Sequence, residues 1–309
     1  ILASILGYLP KNEILRFGVG HLIQLLKSKN LKLELKSKND KLMHKGDKTE
    51  ILSLKDVVAD KAYVGLFDKN VHSIKEVVSY LHTAVLTDHG SVYVCGHGLH
   101  RQLGFMENAV YKLVKMPIEN INGKVVSISL GRHDTALLTD KGKVYVCGEN
   151  KSGQHGLGGI QIRNDLEEVP LQNIQGKVLS VALGEFHMAV LTDEEKLYVC
   201  GSNSEGELGL VGSSDVLIEM PLVNVEGKVI SINLGRRYTV VQINNGKVYV
   251  CGDNGKGQLG LGDNISRNTL VEMPLDDIKG SIVSVSVGCS HTAVLTDQGK
   301  VYVCGDNSC

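Results

Sequence analysis

Polar and apolar positions alternate along Val125-Val126-Ser127-Ile128-Ser129-Leu130, and a period of two predicts a strand. Gly131 ends that strand, Thr135-Ala136-Leu137-Leu138-Thr139 predicts a second, and Lys143-Val144-Tyr145-Val146-Cys147 predicts a third. The Asp140-Lys141-Gly142 reversal between the last two is short enough for an antiparallel hairpin. Gly142 supplies the positive φ that a tight loop with a bulge requires. The third strand is apolar on both faces, which places it inside a stack of sheets.

The same pattern returns. Val92-Tyr93-Val94-Cys95-Gly96, Leu197-Tyr198-Val199-Cys200-Gly201, Val248-Tyr249-Val250-Cys251-Gly252 and Val301-Tyr302-Val303-Cys304-Gly305 repeat the third strand, and its cysteines fall 52, 53, 51 and 53 residues apart. Glycine recurs in the hairpin turn at Gly90, Gly142, Gly246 and Gly299, whereas the third copy has Glu195. A side chain at that place predicts either a looser turn or about 1–2 kcal/mol of strain. The first four copies also carry an apolar-proline step, at Met116-Pro117, Val169-Pro170, Met220-Pro221 and Met273-Pro274, where a missing N–H suits a loop or a sheet edge. About 52 residues with three or four short strands and no helical pattern predict one blade of a β-propeller. The fold class is therefore mainly β, with antiparallel blades and a short α-helical segment ahead of them.

Composition agrees with this picture. The chain of 309 residues has no Trp and only 4 Phe, so its core is built from the Val, Leu, Ile and Tyr that favour strands. Five of its 7 Cys occupy equivalent positions in successive copies. Such positions lie too far apart for disulfides, so buried thiols and an intracellular location, cytoplasmic or nuclear, are expected. A formal charge of −1 gives no general attraction to nucleic acid or to a membrane. No apolar run approaches the 18 residues of a membrane span. One stretch is locally basic: Lys27 to Lys48 holds eight Lys against Glu34, Asp40 and Asp47, and reads as a solvated linker over 31–50.

Ser286-Val287-Gly288-Cys289-Ser290-His291-Thr292, together with Gly252-Asp253-Asn254-Gly255-Lys256-Gly257-Gln258-Leu259-Gly260-Leu261-Gly262, resembles the signature of the regulator of chromosome condensation repeat family. The resemblance covers about three quarters of the chain and implies a propeller, placed over residues 51–309, that in this family typically closes seven blades. Four full steps are present, and the chain stops at Gly305-Asp306-Asn307-Ser308-Cys309, where earlier copies continue. A piece trimmed at both ends, with open strand edges, is expected. The resemblance also implies one activity, guanine nucleotide exchange on a small Ran-like GTPase, achieved by protein contacts without covalent chemistry. The repeat signature by itself reports fold rather than function.

Residues 1–30 carry apolar positions at helical spacing, split by Pro10. Ile5, Leu6, Leu9, Pro10, Ile14 and Leu15 resemble part of an F-box, which implies docking to a Skp-type adaptor of a cullin ubiquitin ligase. An unspecific helical cap is the alternative reading. Joined to a propeller, the first reading makes the chain a protein-interaction scaffold and the substrate receptor of such a ligase; exchange activity is the alternative.

Residues that carry chemistry are sparse. The glycine-rich loops lack the Lys-Ser/Thr and the following helix that a phosphate cradle needs. Gly96, Gly148, Gly201, Gly252 and Gly305 recur in every copy and read as architecture. One slot holds His82, Asp134, His187, Tyr238 and His291 in turn. A base needed once per blade is not a catalytic one, so His82, His187 and His291 are expected to tie loop to strand. Cys95, His97 and His100 have metal-ligand spacing without a fourth ligand, so neither a metal nor another cofactor is expected. Arg132, His133, Arg236 and Arg237 differ between copies and fall in loops after first strands, which makes them candidates for a partner-binding face.

Overall fold

The computed structural model describes residues 74–306. The chain forms four four-stranded antiparallel sheets and a final three-stranded one, each with its strands in sequence order. The first blade holds β1 (Ile74–Ser79), β2 (His82–Thr87), β3 (Val92–His97) and β4 (Ala109–Lys115). The second holds β5 (Val125–Leu130), β6 (Asp134–Thr139), β7 (Val144–Gly148) and β8 (Arg163–Glu168). The third holds β9 (Val178–Leu183), β10 (His187–Thr192), β11 (Leu197–Gly201) and β12 (Ser214–Glu219). The fourth holds β13 (Val229–Leu234), β14 (Tyr238–Ile243), β15 (Val248–Gly252) and β16 (Arg267–Glu272), and the fifth β17 (Ile282–Val287), β18 (His291–Thr296) and β19 (Val301–Gly305).

The three strands expected in the second copy are present, with β6 starting one residue earlier and β7 both starting and ending one residue later. The predicted helices and linker of residues 1–50, including Ile5, Leu6, Leu9, Pro10, Ile14 and Leu15, lie outside the described residues. So does the predicted start of the propeller near Ile51.

Neighbouring blades meet through their first strands. Lys75 Nζ donates to Val126 O (2.5 Å), Ile128 N to Glu76 Oε2 (3.3 Å) and Leu183 N to Ser129 Oγ (2.9 Å). The third strands are buried along their whole length in the middle three blades, as their two-sided apolar pattern requires. Their two faces have different neighbours: Val248 and Val250 pack on Val285 and Val294 of the next blade, and Tyr249 and Cys251 on Leu191 and Val199 of the previous one. The six described cysteines are free thiols. Burial pushes Cys147, Cys200 and Cys251 far above the ordinary thiol range.

Glu195 takes φ 63°, the same left-handed turn as its glycine counterparts, so the third hairpin keeps its geometry and carries the strain. The glycines that close the third strands are held by crowding. At Gly148, with φ 112°, a Cβ would stand 2.3 Å from His133 O and 2.7 Å from Asp134 Cα, and at Gly252 2.3 Å from Arg237 O.

Candidate functional site

Strands run so that every β1–β2 type loop and every glycine-rich loop opens on one face of the arc. In five successive blades the position two before the histidine slot is occupied by Tyr80, Arg132, Glu185, Arg236 and Cys289. The structure brings these five together. Arg132 Nη1 donates to Glu185 Oε1, and Arg236 Nε lies 3.2 Å from Glu185 Oε2. The Tyr80 hydroxyl lies 2.8 Å from Cys289 Sγ across 209 residues of sequence. Backbone contacts close the ring further, from Glu185 N to Gly235 O and from Arg236 N to Cys289 O, both 3.3 Å. The loops of all five blades therefore converge, and the first and fifth touch.

The charges in this ring are unequal in their access to water. The Glu185 side chain is 3% exposed, while those of Arg132 and Arg236 are 42% and 48% exposed. One buried carboxylate thus holds two cations at the surface and neutralises only one of them. Its hydrogen bond raises the Arg132 value further. Burial, then the neighbouring Cys289, raises the Tyr80 phenol well above its ordinary range, so it stays protonated.

The other two sequence candidates lie elsewhere on the same face. Arg237 sits over the Phe186 ring at 5.1 Å, a cation–π contact, and pairs loosely with Glu205 at 3.8 Å. His133 joins His100 and His97, its ring centroid 4.0 and 5.8 Å from theirs. Burial, then His100, holds His133 down at about 4, so it is neutral at physiological pH. Glu149 contacts His100 Nδ1 at 3.4 Å and Lys151 at 2.5 Å. The Gln102 amide nitrogen donates to His97 Nδ1 (3.0 Å) while its oxygen accepts from His100 N (3.0 Å), which puts the His97 proton on Nε2. No group of three or more His, Cys, Asp or Glu among the described residues is arranged to hold a metal ion.

In the histidine slot, His82 Nε2 meets Thr135 Oγ1 of the next blade at 2.7 Å, and His187 Nε2 meets Thr239 Oγ1 at 3.0 Å. Each threonine hydroxyl donates to a loop carbonyl, Gln102 O or Glu207 O, at 2.6 Å. Each can then only accept from the imidazole, so the ring proton sits on Nε2. The imidazole ties blade to blade, and the threonine it reaches ties its strand to a loop of the preceding blade. In the fourth blade the Tyr238 hydroxyl takes this place, 3.4 Å from Thr292 Oγ1, and in the fifth His291 O accepts from Tyr238 OH at 2.5 Å. Burial depresses His82 and His187 to about 3.

Sequence reasoning missed Glu185, Tyr80 and Cys289. The signal was present, since all three stand in register with Arg132 and Arg236; a comparison restricted to cations passes over a glutamate, a tyrosine and a cysteine. Arg101 was also missed. It is held at φ 70° where the other copies have Gly153, Gly206 and Gly257.

The comparisons with known proteins follow the fold. The X-linked retinitis pigmentosa GTPase regulator of Canis lupus familiaris is 32% identical over 278 residues, covering 73% of this chain and 28% of the relative. The secretion-regulating guanine nucleotide exchange factor of Bos taurus is 29% identical over 174 residues, covering 56% of this chain and 37% of the relative. The chain thus spans about a third of the length of these relatives. The crystal structure of human WBSCR16 superposes with a TM-score of 0.66 at 26% identity, over 75% of this chain and 62% of that one. The match to a family covers residues 12–309; it includes Ile14 and Leu15 and lends no support to an F-box or a ubiquitin-ligase role. Sheets, repeat and sequence agree: this chain belongs to the RCC1-like domain family.

Proposed function

We propose that the chain binds a small GTPase through the face that carries Arg132, Glu185 and Arg236, and accelerates release of its guanine nucleotide. The observation that carries this reading is the pairing of two half-exposed guanidiniums on one buried carboxylate at the point where the blade loops meet. Such a site presents cationic donors already fixed in position, which favours docking of an acidic protein surface. Membership of the RCC1-like family supports the reading. So do the printed names of two relatives, one a GTPase regulator and the other a guanine nucleotide exchange factor. Exchange needs no covalent step. A partner's contacts with this face would be made at the expense of its contacts with nucleotide, so the face residues act by binding.

Release of a fluorescent guanine nucleotide from a panel of Ran-like GTPases tests the proposal. The expected result is acceleration of one GTPase by the full chain. It should fall at least about tenfold, which is about 1.4 kcal/mol, in the triple variant Arg132→Gln, Glu185→Gln, Arg236→Gln, which removes the charges without stranding the buried carboxylate. Binding without faster release would reject exchange and leave a protein-interaction scaffold. Absence of binding to every GTPase tested would reject both the partner class and the activity.

A further inference from the structure

The joint between the second and third blades departs from its neighbours at three positions together. At the first and third joints a slot histidine meets a threonine of the next blade, and a leucine, Leu103 or Leu208, fills the space beneath; at the fourth joint Tyr238 and Thr292 pair over Leu259. At the second joint the slot residue is Asp134, the threonine is replaced by Met188, and the leucine by His155. All three are fully buried. The hydroxyl staple is therefore absent here, and an acid and an imidazole lie in its place with His155 Nε2 3.7 Å from Asp134 Oδ2. Neither carboxylate oxygen and neither ring nitrogen has a side-chain hydrogen-bond partner within ordinary length. Four polar atoms left in this state beside apolar neighbours are costly unless they serve one another.

We propose that one proton shared between Asp134 and His155 holds the second and third blades together, in place of the hydroxyl staple of the other joints, and that the joint loosens when that proton is lost. The 3.7 Å separation lies just beyond hydrogen-bond length, and in the proposed pair the protonated carboxyl donates to Nε2. The pair is then neutral in an apolar setting, and its one hydrogen bond serves Oδ2 and Nε2, two of the four atoms. Loss of the proton leaves a buried carboxylate with no cation beside it. Burial opposes that anion most, the His133 backbone favours it, Glu149 on the β7 side and Glu185 from the third blade disfavour it, and the buried thiols Cys147 and Cys200 supply no cation. Arg163, on β8, disfavours a charged His155, and His133 is neutral. Burial raises the Asp134 carboxyl well above its ordinary range and lowers His155 to about 3.

The joint lies directly under the partner face. Asp134 is two residues from Arg132, and a Cβ at Gly131 would stand 2.0 Å from Asp134 Oδ1 and 2.6 Å from Gly184 O. Arg132 and Glu185 bridge the same two blades. The proton therefore sets how firmly Arg132 and Glu185 are held.

The sign follows from linkage. Asp134 binds its proton more tightly in the folded chain, so its contribution is full below the ordinary carboxylate value and is lost as pH rises through the raised one. The buried histidines act in the opposite sense, and comparison with Asp134→Asn, which cannot ionise, removes them. The test is Tm from pH 4 to pH 9 for the full chain, for Asp134→Asn, and for Asp134→His, His155→Leu, Met188→Thr, which rebuilds the staple of the other joints. The expected result is that both variants gain on the natural chain as pH rises, by about 5 °C or more across the range. The wild-type His155 ring, followed by NMR, should meanwhile show no protonation near 6.5. Tm differences that stay constant with pH, or a His155 ring that titrates near 6.5, would overturn the proposal. The NMR arm needs no variant, so the outcome stands even if the rebuilt joint fails to fold.

Discussion

Glu195 occupies at φ 63° the turn position that Gly90, Gly142, Gly246 and Gly299 hold between 73° and 87°. An L side chain there costs about 1–2 kcal/mol. Its carboxylate reaches Lys228 Nζ at 2.6 Å, but both side chains are about half exposed, and such a pair returns at most about 1 kcal/mol. Glu195→Gly should therefore raise Tm by about 1–3 °C, measured by calorimetry, and a lower Tm would show that the ion pair outweighs the strain. The slot histidines make a second residue-scale prediction. His82 and His187 have folded values near 3, below the ordinary value of about 6.5. Their contribution is present above the ordinary value and is lost as pH falls toward the folded one. Urea unfolding at pH 7 and pH 5 should show a loss of about 2 kcal/mol for each, reduced by one such increment in His187→Gln. Equal losses in the two proteins would mean that His187 is already charged in the fold.

At the level of strands and blades, the two faces of the third strand meet different fates at the end of the array. Val92, Val94, Val144, Val146, Val248 and Val250 are fully buried by the blade that follows, whereas Val301 and Val303 are 41% and 72% exposed. The uncovered face belongs to the side on which each blade receives its successor. Val250→Ser should lower Tm by about 5 °C or more, through lost burial and an unpartnered hydroxyl, and Val303→Ser by less than about 2 °C. Comparable losses would show that something covers β19. The same strands explain what could be read in advance. Inner strands such as VVSISL and VYVCG announce themselves by alternation or by two-sided apolarity, because packing acts on them from known directions. The outer strand RNDLEE (β8) has only its fourth residue and its arginine partly buried, so no hydrophobic period marks it; it is held by its backbone ladder to β7. The site was legible in part for a similar reason. Arg132 and Arg236 stand out as charges that vary between copies, but their meeting on Glu185 depends on the curvature of the arc, which no single repeat encodes.

Across the whole molecule, Glu185 connects three blades, since it belongs to the third and binds arginines from the second and fourth. The energetics of this link are asymmetric. Glu185→Gln leaves two guanidiniums that are about half exposed and can be hydrated, so it should cost only about 1–2 kcal/mol. Arg132→Gln with Arg236→Gln leaves a carboxylate of 3% exposure without a cation, and stranding a buried charge costs about 3–5 kcal/mol. Adding Glu185→Gln to that pair removes the stranded charge. The triple variant should therefore be more stable than the double, a sign that simple addition of losses cannot give. Urea denaturation of the four proteins measures the cycle. If the triple falls below the double, Glu185 contributes through packing rather than through charge, and the arginines are then free surface cations whose placement for a partner must come from their own loops.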